Sequence, residues 1–344
     1  MSTQVRQRRW PRRLRRVGLT VLAVAAAVTL VVVVAFYVSY WPATWLLRGL
    51  PAFGDEDPAA GHVPEVQGVH SNLDLTYRPE DPDGRLDVFW PQGTTEQQPT
   101  VVWIHGGAFV AGDKIGPRTY LQTLAKRGYT TVAVEYSEAP EKQYPYQLNQ
   151  IADALDYLQD NAERLHIDPG QIILGGDSAG AHMAAQTAMA ITDDAYARAA
   201  GLPQPLQADQ LSATILASGA YDLYVPDYGD GIAGKIEHDI IWAYTGERNF
   251  LADPHLEYAS LPQHVSGSFP PTFITAGNAD PLETHSKSMA SGLQEAGVQT
   301  QAVFYPSDYH PALGHEYQFD LATPAAEEAL DGVLDFLAQH TTAP

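Results

Sequence analysis

The sequence predicts an α/β protein, a mostly parallel sheet with helices on both faces, preceded by one membrane-spanning helix. Three observations carry this reading. Short β-branched and apolar runs alternate with segments of helical spacing from residue 86 to the C-terminus. Glycine-rich turns at 105–109 and 176–180 stand directly behind such runs. Residues 17–38 hold neither charge nor proline.

That first apolar run is 22 residues long, about 33 Å as a helix and enough to cross a bilayer core. Seven arginines precede it, at Arg6, Arg8, Arg9, Arg12, Arg13, Arg15 and Arg16, without an acidic residue. It ends in Tyr37, Tyr40, Trp41 and Trp45, bulky residues suited to a membrane interface and unlike the small residues of a cleavage site. The arrangement predicts an uncleaved signal-anchor, with residues 1–16 in the cytoplasm and the rest of the chain outside. Residues 39–65, rich in proline and glycine, read as a linker or cap segment, and 66–344 as the catalytic domain.

The strands follow in order. Leu86–Trp90, Thr100–Ile104, Thr130–Val134, Gln171–Leu174, Ser212–Ala217, Thr272–Thr275 and Ala302–Tyr305 read as strands. Asn149–Arg164, Ala179–Ala190 and Glu327–His340 read as helices. In such a sheet, ligands gather at the carboxyl ends of the strands.

Composition narrows the function. The net charge of −21 hides a split, because outside the seven N-terminal arginines 13 basic residues face 41 acidic ones. A body that acidic repels phosphate backbones, which excludes nucleic acid as a partner. Cysteine is absent, which excludes a thiol nucleophile and a thiolate metal site.

The chemistry centres on Gly176-Asp177-Ser178-Ala179-Gly180, between a strand and a helix. A turn this sharp strains the serine backbone and leaves no room for side chains at the two glycines, so Ser178 Oγ stands above the sheet. His105-Gly106-Gly107-Ala108-Phe109 ends another strand. Its glycines let backbone N–H groups approach an attacked carbonyl, so Gly106, Gly107 and Ala179 are the expected oxyanion donors. His105 is expected to order this loop rather than act as a base. A serine nucleophile needs a base, and the base needs a carboxylate to orient it. Asp280, behind the strand Thr272–Thr275, is the expected carboxylate, with Glu283 as the fallback. His310 and His315 both stand in the loop after the last strand, and either can be the base.

These residues make the chain resemble the hormone-sensitive-lipase-like branch of the α/β-hydrolase esterases. The likeness covers roughly residues 95–340 and rests on 105–109, on Tyr136 with Ala139-Pro140-Glu141, on 176–180 and on Asp280-Pro281-Leu282. It implies an α/β-hydrolase fold, a nucleophile at Ser178, an acid at Asp280, and turnover of short to medium acyl esters without metal or organic cofactor. It also implies that Glu141 ties down a loop near the active site. The branch usually places its histidine before Gly-Phe, about 30 residues beyond the acid. His310 has that spacing but precedes Pro311. His315 lies 35 residues beyond, and His315-Glu316-Tyr317-Gln318-Phe319 looks like the ending of a prokaryotic subset with a longer loop, which favours His315.

The expected function is therefore a serine carboxylester hydrolase working through an acyl-enzyme outside the cytoplasm. The substrate class is a small-molecule, lipid or polysaccharide ester. An amidase or peptidase on the same scaffold, or a non-catalytic membrane-tethered binding protein, are the alternatives.

Overall fold

The computed structural model describes residues 12–50, 66–223, 229, 231–254 and 256–342. Arg6, Arg8 and Arg9 of the basic cluster, and residues 51–65 of the expected linker, lie outside them.

Strands β1 (Val69–Thr76), β2 (Arg85–Pro91), β3 (Gln98–Ile104), β4 (Thr130–Val134), β5 (Ile167–Asp177), β6 (Leu211–Ala217), β7 (Thr272–Ala276) and β8 (Thr300–Phe304) form one sheet. Its order is β1-β2-β4-β3-β5-β6-β7-β8. The β1–β2 and β2–β4 pairs are antiparallel, and every pair from β4 onward is parallel. Strand β1 escapes the sequence reading because it is an edge strand, mostly open to solvent, so its run Val69–Thr76 carries little apolar pattern.

Helices α1 (Arg12–Val38), α2 (Trp41–Arg48), α3 (Arg118–Lys126), α4 (Tyr146–Asp160), α5 (Ser178–Thr192), α6 (Asp194–Ala200), α7 (Gly231–Thr245), α8 (Glu283–Glu295) and α9 (Pro324–His340) complete the order. The strands divide their side chains by the two-residue period of the pleat. Val102, Ile104, Val132 and Leu174 pack with α4 and α5 in one core. Val101, Trp103, Ala133 and Ile173 pack with α3 and α9 in the other. Strands β3, β4 and β7 are buried at every position, as a parallel sheet covered on both faces requires. Helix α5 is buried from Ser178 to Ile191, which accounts for its alanine and methionine content.

The bounds of one expected helix shift. Helix α4 starts at Tyr146 and stops at Asp160 rather than running from Asn149 to Arg164. The Asn161 side chain donates back to the Tyr157 carbonyl at 2.8 Å, a local bond that competes with helix continuation.

Of residues 39–65, expected as a linker or cap segment, 41–48 form the packed helix α2. Ala43, Thr44 and Leu47 share its buried face, while Trp45 and Leu46 are exposed. Arg48 fastens the helix end to the body. Its Nε donates to the Val110 carbonyl at 2.7 Å, and its guanidinium meets Glu141 at 2.8 Å and Glu138 at 3.0 Å. The tie expected of Glu141 is thus made to an arginine that the sequence reading had placed in the linker. Helix α1 is apolar from Val17 to Val38, and most of that stretch is exposed. Its end is fixed to the body where Arg248 donates to the Tyr37 carbonyl at 2.9 Å and Tyr40 packs edge-on against Trp242.

Candidate active site

Strand β5 runs straight into α5 at Ser178, whose φ of 50° is left-handed. Such a backbone costs an L-residue free energy and persists only where the surroundings enforce it. Close packing enforces it here. A Cβ on Gly176 would lie 2.7 Å from the Ile104 carbonyl oxygen, and one on Gly180 would overlap the Ile104 and His105 carbonyls. The turn therefore presses against the end of β3, and Ser178 sits where β3, β5 and α5 meet.

The 105–109 loop folds over this point. His105 stacks on Tyr136 with ring centroids 4.3 Å apart, and the Tyr136 hydroxyl donates to the His105 carbonyl at 2.9 Å. Both ring nitrogens of His105 are engaged, Nδ1 with the Gly106 carbonyl at 2.7 Å and Nε2 with Glu135 at 3.1 Å. Burial opposes its positive charge, but the Glu135 carboxylate more than offsets this and raises the pKa to about 9. This ring orders the loop and does not meet Ser178.

The expected donor Gly106 needs correction. Its N–H donates to Asp177 Oδ2 at 2.7 Å and is not available to a ligand. The next residues differ. Gly107 has φ +121°, and its carbonyl accepts from Val110 and Ala111 N–H at 3.1 and 3.0 Å, which curls the loop tightly. Among the described residues no protein acceptor meets the N–H of Gly107, Ala108 or Ala179. Ala179 lies in the first turn of α5, where N–H groups lack helical partners. Nothing in the residue type of Ala108 marks its N–H as open. Its left-handed φ of 54° gives no signal in an alanine codon position, since glycine is the usual marker.

On the far side, Asp280 follows β7 and His315 follows β8. His315 Nδ1 is 2.9 Å from Asp280 Oδ1, and Nε2 is 3.1 Å from Ser178 Oγ. The two loops are stitched together. Ala279 N–H donates to the Leu313 carbonyl, and Leu313 N–H donates to Asn278 Oδ1, both at 2.8 Å. Beyond His315, the buried Tyr317 hydroxyl meets Thr275 Oγ1 at 2.6 Å, and Phe319 packs edge-on against Trp103 and Tyr120. His310 is exposed in the same loop and outside this line of contacts. Glu283 begins α8 and pairs with Lys287 at 2.8 Å rather than with a histidine.

Electrostatics follow from the geometry. Burial pushes the Asp280 carboxyl up, but the hydrogen bond and charge of His315 hold it below the ordinary carboxylate range. Asp177 is buried, accepts from Trp103 Nε1 at 2.7 Å, and faces the Glu316 carboxyl. Burial first, then the Glu316 charge, push it well above the usual range. Neither Asp177 nor Glu316 was singled out from sequence, because one is the variable position of its motif and the other merely follows a histidine. Ser218, with φ 51°, accepts from Glu316 N–H at 3.3 Å and also faces Asp280. Among the described residues no group of three or more histidine, aspartate or glutamate side chains could hold a metal ion.

A profile of the alpha/beta hydrolase fold family matches residues 101–313. The chain is 30% identical over 266 residues to carboxylesterase NlhH of Mycobacterium tuberculosis, covering 72% of this chain and 76% of that protein. It is 24% identical over 261 residues to an acetyl esterase of Salmonella choleraesuis, covering 74% and 76%. Its fold is similar to esterase B of Lactobacillus rhamnosis, inhibited by a tributyrin phosphonate, with a TM-score of 0.69 and 21% identity over 82% of this chain and 88% of that one.

Proposed function

Because the chain belongs to the α/β-hydrolase-fold family, in its hormone-sensitive-lipase-like branch, and is a carboxylesterase, we propose that it cleaves short to medium acyl esters through an acyl-enzyme on Ser178. The observation that carries the reading is the unbroken line Ser178 Oγ–His315–Asp280, at 3.1 and 2.9 Å.

Ser178 Oγ attacks the ester carbonyl while His315 Nε2 takes its proton. Asp280 holds Nδ1–H, which fixes the tautomer and stabilises the imidazolium. The carbonyl oxygen becomes an oxyanion and accepts from the unpartnered N–H groups of Gly107, Ala108 and Ala179. His315 returns the proton to the alcohol oxygen as the C–O bond breaks. Water then repeats the sequence on the acyl-enzyme, with His315 as base, and releases the acid. Gly106 serves differently, since its N–H holds Asp177 against the loop.

The short to medium range is supported by the acetyl esterase and carboxylesterase among the relatives and by the tributyrin phosphonate on esterase B. A series of neutral ethyl esters from acetate to palmitate, assayed on the detergent-solubilised full chain, tests it. Turnover is expected to peak at about eight carbons or fewer and to exceed that of the matching anilides. A maximum at palmitate, or faster anilide cleavage, would exclude the assignment.

The same proposal includes location. Helix α1 anchors the chain, residues 1–16 remain cytoplasmic, and the catalytic domain of 66–344 lies outside, with α2 packed on it as part of a cap. Support comes from the exposed, uncharged Val17–Val38 surface beside seven arginines. Proteinase added to spheroplasts is expected to degrade the catalytic domain while it remains with the membrane fraction. A protected domain reverses the orientation, and release into the medium means cleavage of α1.

A further inference from the structure

His315 is held between two carboxylates. Asp280 Oδ1 lies 2.9 Å from Nδ1, and Glu316 Oε1 lies 3.3 Å from Nε2, the nitrogen that also meets Ser178. Glu316 reaches this place through a left-handed backbone, φ 58° and ψ 32°. A side chain of its length in that conformation needs support. Its N–H donates to Ser218 Oγ, and its carboxyl faces Asp177. Asp177 is pinned in turn by Trp103 Nε1 and Gly106 N–H, both at 2.7 Å.

Two carboxyls within hydrogen-bond reach share a proton, because both cannot ionise side by side. Asp177 is 4% exposed and burial, then the Glu316 charge, push its carboxyl well above the usual range, whereas Glu316 is half-buried at the cleft. Asp177 backs Glu316 on the side away from solvent, and Asp280 and Glu316 stand at the two nitrogens of one imidazole.

Resting on the assignment of His315 as base, we propose that Glu316 is a positioning residue that stabilises protonated His315 and so sets the pH at which the esterase becomes active. When Nε2 is unprotonated it accepts the Ser178 O–H, and the nucleophile can form. When Nε2 is protonated it donates to Glu316, and Ser178 has no base. The same carboxylate also faces the imidazolium formed during attack, so it favours the transition state and the idle state together.

The direction agrees with the surroundings. Burial opposes the imidazolium, but hydrogen bonds and charges from Asp280 and Glu316 outweigh it and push His315 up to about 10. The other titratable groups nearby are occupied elsewhere. His105 pairs with Glu135, and His285 on α8 receives the Asp222 N–H at 3.4 Å. Tyr221, beyond β6, is buried behind Asp280 and Asp177 and stays neutral, since burial raises its pKa far beyond the usual range. Among the described residues only Asp280 and Glu316 lie within ion-pair distance of His315. A group whose pKa is raised stays protonated to higher pH, so activity rises as pH climbs through that value.

The test is the pH dependence of kcat/KM for ethyl butyrate, followed by base titration on the full chain and its Glu316→Gln variant. Removing the charge is expected to move the acidic limb down by about one pH unit or more, the range an opposite charge at 4–6 Å produces. Below the original limb the variant then works about tenfold faster, while its plateau at high pH falls. Glu316→Asp keeps the charge and is expected to lie between the two. A folded, active Glu316→Gln protein whose limb stays in place overturns the proposal. Should that variant be inactive at every pH, the His315 ring is titrated by nitrogen-15 NMR in a Ser178→Ala background. An unchanged His315 pKa on adding Glu316→Gln then refutes the role, and a lowered one upholds it. Retained activity in His315→Ala would instead indict the base assignment itself.

Discussion

Ser178→Ala is expected to lower kcat/KM for ethyl butyrate by about 10³-fold or more while leaving the melting temperature nearly unchanged. The loss follows from the mechanism, since among the described residues no other hydroxyl stands at His315 Nε2 and the acyl-enzyme cannot form. The small effect on stability follows from the size of the change. Alanine loses one oxygen, and the left-handed backbone at 178, enforced by Gly176 and Gly180 against Ile104, is retained. A fluorophosphonate should label the unsubstituted protein at one site and leave the variant unlabelled. Activity within tenfold of the parent would end the serine mechanism.

His315→Ala is expected to be as damaging as Ser178→Ala, with the double variant hardly worse than either single one. Non-additivity is the informative part, because residues that act as a unit lose their whole advantage at the first break. His310→Ala should cost about tenfold or less. The reason lies in how the loop is held. Behind His315, Tyr317 is anchored on Thr275, and Phe319 is wedged beside Trp103 and Tyr120, so the imidazole has a fixed backbone. His310 projects into solvent from the same loop. Parallel kinetics of the three single variants and the double variant, each checked for folding by circular dichroism, would decide. The reverse ranking of His310 and His315 would transfer the base to His310.

Membership of the family had a local origin in the chain. The glycine turns at 105–109 and 176–180 and the Asp280-Pro281 step are short segments in which steric demand falls on the residues themselves, so residue type reports backbone shape. The parallel core was readable for the same reason, because β3, β4 and β7 are buried on both faces and show as short β-branched and apolar runs. Strand β1 and helix α2 were not readable. Strand β1 is an exposed edge, and α2 owes its place to Arg48 reaching Val110 and Glu141, some 60 and 90 residues away.

Long-range geometry decided the rest of the site. Sequence offered two histidines five residues apart and favoured His315 only by resemblance, and which of them faces Ser178 depends on how the β8 loop is stitched to the β7 loop through Asn278 and Leu313. It also named Gly106 as a donor, yet that N–H is taken by Asp177, a contact set by how the β3 loop packs on the β5 turn. The cluster of Asp177, Glu316 and His315 joins residues from the middle and the end of the catalytic domain. No residue in it carries a local signature of that meeting, because a carboxylate looks the same in sequence whether it faces water or another carboxyl. The amino-acid order by itself determined the fold and the nucleophile, whose constraints are local and steric. The placement of His315 at Ser178, the open N–H groups and the carboxylates around them were decided by tertiary packing, because proximity and burial set hydrogen bonding and ionisation.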